Sequence, residues 1–287
     1  MKSPMTSCPS CHSSQTDRIF RKNYRGSDWY LARCKNCGQH FTDPIPTLPD
    51  IESFYTGNYH ETLCIDGRTE QVFGPKFQGY RKWLLQYVSG GRSLDLGCAT
   101  GLFPSLLQES GFQAEGLELN TATAQWGRNH YGITIRNEPF ETADYQAGTF
   151  DLVTLTDVLE HTLSPPVALE RVHQILRPRG FVMVTFPDIR SIESLYFQTL
   201  ASMSHREWLW LNCHIPLHTW EFTRPTAEAM FKRAGFAVVG FRRSHPAEFQ
   251  RKPLLLALLS WPPLFLKIPF LAYHFGSQME FILQKTS

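Results

Sequence analysis

Apolar positions in this chain recur at two periods that take turns along its length. Phe77, Tyr80, Trp83, Leu84, Tyr87 and Val88 fall at helical spacing, and Gly90-Gly91 ends the helix they predict. A strand follows at once in RSLDLG, and further short apolar runs appear in FQAEGLELN, GITIRNEPFE, TFDLVTLTDVLEHT and FVMVTFPD. The fourth of these is apolar on both sides, as a central parallel strand should be. Between the fourth and fifth, Pro165-Pro166 opens a helix over VALERVHQILRPRG that is expected to stop at Gly180. Strands alternating with helices predict an α/β fold, a doubly wound and mostly parallel sheet. A sixth strand is expected after the helix in FTRPTAEAMFKRAGF, and QMEFILQ reads as the last.

The first forty-five residues have a different texture. RIFRKNYRGSDWYLARC reads as short strands, flanked by Cys8-Pro-Ser-Cys11 and Cys34-Lys-Asn-Cys37-Gly. Two residues between thiolates let one tight turn aim both sulfurs at one metal, and about twenty residues between such knuckles is a zinc spacing. Four thiolates complete a tetrahedral shell, which describes structural Zn2+ rather than an open catalytic site. A segment this small buries too little surface to fold unaided. The competing readings are a redox pair or unrelated buried thiols. His12 and His40 flank the knuckles as substitute ligands, while Cys64, Cys98 and Cys213 stand alone as packing residues. Residues 1–45 are therefore expected to form a zinc ribbon. The prolines of FTDPIPTLPD and a short helix over Leu48 to Tyr55 make 46–74 a linker, and 75–287 the main domain.

Charge changes this picture little. A formal net charge of +2 gives no field that points to nucleic acid or anionic membrane. MKSPMTSCPSCHSS has no apolar run, so a signal peptide is not expected and the thiols should stay reduced in a cytoplasmic setting.

The chemistry begins in Ser93-Leu94-Asp95-Leu96-Gly97-Cys98-Ala99-Thr100-Gly101, a strand, a glycine-rich turn and a helix start. A dinucleotide loop reads G-x-G-x-x-G and seats a pyrophosphate. Here the spacing differs, and Asp95 would meet a pyrophosphate with like charge. Its carboxylate suits a ligand ammonium group, hence a zwitterionic amino-acid cofactor. The run resembles the first motif of class I S-adenosylmethionine-dependent methyltransferases, L-D-x-G-C-G-T-G. Ala99 replaces the middle glycine, which puts in doubt a positive φ there. The likeness covers roughly residues 75 to 245 and implies a Rossmann-like seven-stranded sheet. It implies a cofactor site of Asp95, Gly97, Ala99 and Gly101, with Glu118 on the ribose. Asn137 or Glu138 would lie near the adenine, beside an apolar wall at Phe140, with Thr156 and Asp157 by the methionine portion. The branch resembled is that of bacterial methyltransferase types 11, 12 and 23.

Glu160-His161 follows the fourth strand, at the carboxyl edge where open α/β sheets bind ligands. Similar quinone and sugar methyltransferases place this histidine on the acceptor side. His161 is accordingly expected as general base or acceptor-binding group, with Glu160 beside it; the plainer reading is a capping or core histidine. His214, His218 and Trp220 are expected over the same pocket or in a packed lid, with Tyr55 and Tyr59 as further acceptor candidates.

Pro253 to Phe275 is nearly all apolar and close to bilayer length, but Pro262-Pro263 and Lys267 interrupt it. The expectation is two short helices lining a pocket, or an interfacial hairpin meeting a lipid-linked acceptor at the membrane periphery. YLARCKNCGQHFTDPIP followed by FYTGNY resembles methyltransferases of surface polysaccharide and sugar modification. That favours a small-molecule or glycan acceptor and O- or C-methylation. Two alternatives remain. One is a ribosomal or transfer RNA methyltransferase, since Arg18, Arg21, Lys22, Arg25, Arg33 and Lys35 interleave with Tyr24, Trp29 and Tyr30. The other is a non-catalytic binding protein on the same fold.

Overall fold

The computed structural model describes residues 5–55, 69–192, 194–195, 198–199, 213–244 and 276–286, without the side chains of Glu52 and Tyr55. Tyr59 and residues 253–275 lie outside the described residues. The N-terminal sheet starts as a hairpin of β1 (Thr16–Tyr24) and β2 (Ser27–Cys34). Its two-residue turn is Arg25-Gly26, at φ 51° and 82°. Left-handed values at both positions match the right-handed twist of the paired strands. β3 (His40–Asp43) continues the sheet, and α1 (Leu48–Tyr55) follows.

The main sheet holds seven strands. α2 (Thr69–Leu84) leads to β4 (Gly91–Leu96), α3 (Leu102–Glu109) and β5 (Phe112–Leu117). Then come α4 (Thr121–Tyr131), β6 (Thr134–Arg136) and β7 (Phe150–Thr156). A 3-10 turn at Leu159–His161 precedes α5 (Pro165–Ile175) and β8 (Leu176–Pro187). β9 (Trp220–Glu221), α6 (Arg224–Arg233), β10 (Phe236–Ser244) and β11 (Gln278–Lys285) complete it. The order is β10-β11-β8-β7-β4-β5-β6, parallel except for β11, which runs antiparallel to both neighbours. This is the Rossmann-like doubly wound sheet expected.

Strand alternation divides the core between two faces. Val153, Leu155, Val182 and Val184 point to one face, under Leu169 and Val172 of α5 and Phe231 of α6. Leu152, Met183 and Ile282 point to the other, against Tyr80, Trp83 and Leu84 of α2 and Phe103 and Leu107 of α3. Each such side chain stabilises the fold by about 1.5–3 kcal/mol when fully buried.

Three expectations need revision. The helix after Pro165 ends at Ile175 rather than Gly180, and Leu176–Gly180 opens β8 instead. Pro178 has no N–H for a helix bond, and Arg177 pairs with Asp151 at 2.8 Å beside the β7 strand. α2 begins at Thr69, six residues before the expected domain start. The ribbon sheet does not end at β3: β9 joins it, pairing His40 with Glu221 and Phe41 with Trp220. Among the described residues no helix is long and apolar enough to cross a membrane.

Candidate active site and ribbon metal centre

The glycine-rich turn leaves β4 at the sheet's carboxyl edge. Gly97 and Cys98 both donate their amides to Leu117 O of β5, at 2.8 and 3.1 Å. A Cβ added at Gly97 would lie 2.6 Å from Val158, so the turn packs against the residue that leads into the 159–161 turn. Ala99 does adopt a positive φ, 47°, despite its side chain. Its amide donates to Glu118 Oε2 at 2.9 Å, and Asn120 N donates to Oε1 at 2.8 Å. Glu118 thus ties the end of β5 to the turn.

Asp95 is 1% exposed, and Thr154 on β7 donates to its Oδ1 at 2.5 Å. Its Oδ2 has no hydrogen-bond partner among the described residues. Burial pushes its pKa up to about 7; the Thr154 bond opposes this and the charge of Glu118 adds to it. Asn137 spends its amide on Glu118 O and Leu119 O at 2.7 and 2.9 Å, while Glu138 accepts from Arg136 at 2.5 Å. Both expected adenine neighbours are therefore engaged locally. Phe140 packs on the core with Arg171 over its ring.

Past β7 the chain turns sharply at Asp157, whose φ is 59°. Lys76 of α2 binds Asp157 Oδ2 at 2.6 Å, and Thr185 and Gln278 donate to Oδ1. Burial disfavours both charges, but their mutual attraction wins, holding Lys76 above and Asp157 below their ordinary values. Thr156 stands in register with Thr185. Sequence reasoning missed Lys76. The available signal was a lone cation at i−4 from Tyr80, on the apolar face of a helix.

The expected acceptor-side residues do converge. One donor atom each from Glu160, His161 and His218 lies within 4.8 Å of the others. The His161 and His218 rings meet edge to face at 4.6 Å, and His214 lies 4.8 Å from His218. Glu160 is 2% exposed, and neither of its carboxylate oxygens has a hydrogen-bond partner among the described residues. Burial, with the charges of Asp157 and Glu221, raises its pKa well above the carboxylate range. His161 Nδ1 lies 3.0 Å from Leu217 O, and His218 Nδ1 lies 3.1 Å from Glu221 Oε1. Burial lowers His218 to about 3 and lifts Glu221 to about 8. Left to itself, this pocket therefore favours neutral groups. Trp220 lies apart from the cluster, 1% exposed within the main core.

The segment carrying His218 is clamped from two sides. Thr219 donates through N and Oγ1 to Glu160 O at 2.9 and 3.0 Å. From the ribbon, Thr42 donates through N to Thr219 O at 2.9 Å and through Oγ1 to His218 O at 2.6 Å. Gln39 reaches Glu221 O at 2.9 Å. Elsewhere in the ribbon, Cys8 Sγ stands 3.6 Å from Cys37 Sγ, and Cys11 Sγ 3.6 Å from Cys34 Sγ. Tetrahedral Zn–S bonds of about 2.3 Å place sulfurs about 3.8 Å apart, and the four sulfurs, all within 4.8 Å of one another, could hold such an ion.

Residues 70–240 match the family described as methyltransferase domain. The chain belongs to that family. As a methyltransferase it is 27% identical over 122 residues to a ubiquinone biosynthesis O-methyltransferase of Burkholderia ambifaria, covering 40% of this chain and 52% of that one. It thus spans about half the length of that curated relative. Solved S-adenosylmethionine-dependent methyltransferases share the fold. One from Thermotoga maritima superposes with TM-score 0.53 at 16% identity, covering 80% of this chain and 98% of its own. One from Mesorhizobium loti gives 0.51 at 18%, covering 75% and 98%. These likenesses show a shared fold.

Proposed function

We propose that this methyltransferase moves the methyl group of S-adenosylmethionine to a hydroxyl of a small-molecule or glycan acceptor. The observation that carries the reading is the Glu160, His161 and His218 cluster at the carboxyl edge of β7, next to the glycine turn. Methyl transfer needs nucleophile, carbon and sulfur in line, and an acceptor hydroxyl needs a partner for its proton. His161, oriented by Leu217 O, is the group we assign to that proton. Asp95 and Glu118 are the cofactor anchors, for the ammonium group and the ribose. The O-methyltransferase named among the relatives supports oxygen over carbon as the acceptor atom. The thiol geometry supports structural zinc in the ribbon. Pairing within the ribbon speaks against an RNA acceptor: Arg18 binds Asp43 at 2.6 Å, Arg21 binds Asp28 at 2.7 Å and Lys35 binds Asp17 at 3.0 Å.

Calorimetric titration of S-adenosylmethionine into the wild type and an Asp95→Ala, Glu118→Ala double variant tests the cofactor half. Binding should be seen in the first and lost in the second. Labelled methyl transfer to a panel of nucleotide sugars, phenols and transfer RNA tests the acceptor half. Transfer to RNA alone would overturn it.

A further inference from the structure

We propose that Glu160, His161 and His218 form a second metal centre, a three-ligand site for a divalent first-row transition ion whose open positions take the acceptor's oxygen. The inference rests on the acceptor-side placement proposed above.

Three features of the cluster point to a cation rather than to a hydrogen-bond network. The first is Glu160. A buried carboxyl whose two oxygens both lack hydrogen-bond partners is costly to leave unsatisfied, and a metal ion supplies the missing partner for either oxygen. The second is the orientation of the imidazoles. Each Nδ1 faces an oxygen, Leu217 O or Glu221 Oε1; the carbonyl can only accept, which places the His161 ring proton on Nδ1, and His218 takes the same tautomer when Glu221 is ionised. That carbonyl or carboxylate behind each ring is the outer-shell arrangement that fixes metal-binding histidines. The third is rigidity. Thr219 binds Glu160 O, and Thr42 binds His218 O, so the backbones carrying two ligands are tied before any ion arrives. Asp157 is not a ligand, because Lys76, Thr185 and Gln278 already occupy it.

The donor set selects the ion. Two imidazoles and one carboxylate suit Mn2+, Fe2+ or Zn2+ better than Mg2+ or Ca2+, which prefer oxygen. Three protein ligands leave at least one position for substrate, unlike the closed four-thiolate ribbon. An acceptor hydroxyl bound there would lose its proton to water more readily. Its oxygen would then form the O–CH3 bond as the C–S bond breaks, with sulfur keeping the electron pair. His161 would then act on the acceptor's proton through the ion it holds, which favours loss of that proton to water, rather than by taking it on its own ring.

Manganese separates the two sites, since it competes poorly for thiolates. Zinc-loaded protein is titrated with Mn2+, free ion is read by electron paramagnetic resonance, and total zinc is counted by elemental analysis. One Mn2+ site per chain, or a second zinc equivalent, is expected in the wild type. Glu160→Gln should lose it, and His218→Gln should weaken it at least tenfold, both still binding S-adenosylmethionine as a check on folding. A wild type that holds one zinc and no Mn2+ overturns the proposal, as does binding unchanged in both variants. Methyl transfer that survives chelation of everything except ribbon zinc would sink the metal centre alone. A metal-binding protein that methylates only RNA would sink the acceptor reading alone.

Discussion

Ala99 shows how much of this site is decided by single residues. It holds a left-handed φ in a turn whose neighbours at 97 and 101 are glycines. That conformation costs a non-glycine residue about 1–2 kcal/mol, while glycine costs about 0.5–1 kcal/mol in chain entropy. Ala99→Gly should therefore be neutral or stabilising by up to about 1 kcal/mol in urea denaturation, with cofactor affinity kept. Asp95 makes a prediction in pH. With its pKa raised to about 7 in the free protein, it is protonated below that value, and the pairing proposed with the cofactor's ammonium group requires it to ionise. The dissociation constant should be flat above about pH 7 and rise roughly tenfold per unit below it. Calorimetry in two buffers of different ionisation enthalpy would register the released proton. His161→Ala should keep normal cofactor affinity while turnover falls at least a hundredfold; unchanged turnover on an identified acceptor would remove His161 from the mechanism. The turn at 97–101 was legible in the sequence because glycine spacing is local information. Lys76 was not, because its partner Asp157 is 81 residues away.

At the scale of elements, α2 reaches the site through the Lys76–Asp157 pair. Lys76→Met would leave a carboxylate without its cation while Thr185 and Gln278 still donate to it. Asp157 is 38% exposed, so water offsets part of the loss, and about 1–3 kcal/mol of destabilisation is expected in thermal or urea unfolding. The strand and helix sequence from β4 to β8 was readable because hydrophobic period reports burial directly. The α5–β8 junction was misread because LRPRG carries no period of its own. Its first residue, Leu176, pairs with Phe150 of β7 before the register jumps to Phe181, a tertiary contact that overrides local preference.

Across the whole molecule, one antiparallel sheet joins the cysteine knuckles to the Glu160, His161 and His218 cluster. The knuckles end β2, β3 follows, and β3 holds β9 next to His218. Stripping the zinc proposed for the ribbon should raise hydrogen exchange across residues 213–221 and impair acceptor use, while cofactor affinity changes little. Thr42→Val should produce a milder form of the same pattern, and Thr42→Ser should restore it. Equal loss of cofactor and acceptor binding would mean that the ribbon supports the fold as a whole. Both knuckles were plain in the sequence, and so were His214 and His218. That they share a sheet was not, because a two-residue strand pairing across about 180 positions leaves no trace in composition or period.

The shared sheet also limits how this chain can be taken apart or recombined. Residues 70–240, the region a family boundary would mark for excision, include β9 but leave its partner behind. The cut would bare a strand edge and the underside of Ile189, Cys213 and Ile215, which Trp29 and Leu31 otherwise cover. Grafting the ribbon onto another catalytic domain would fail for the mirror-image reason, since the recipient would need a matching edge in that loop. In engineering, the two parts travel as one unit.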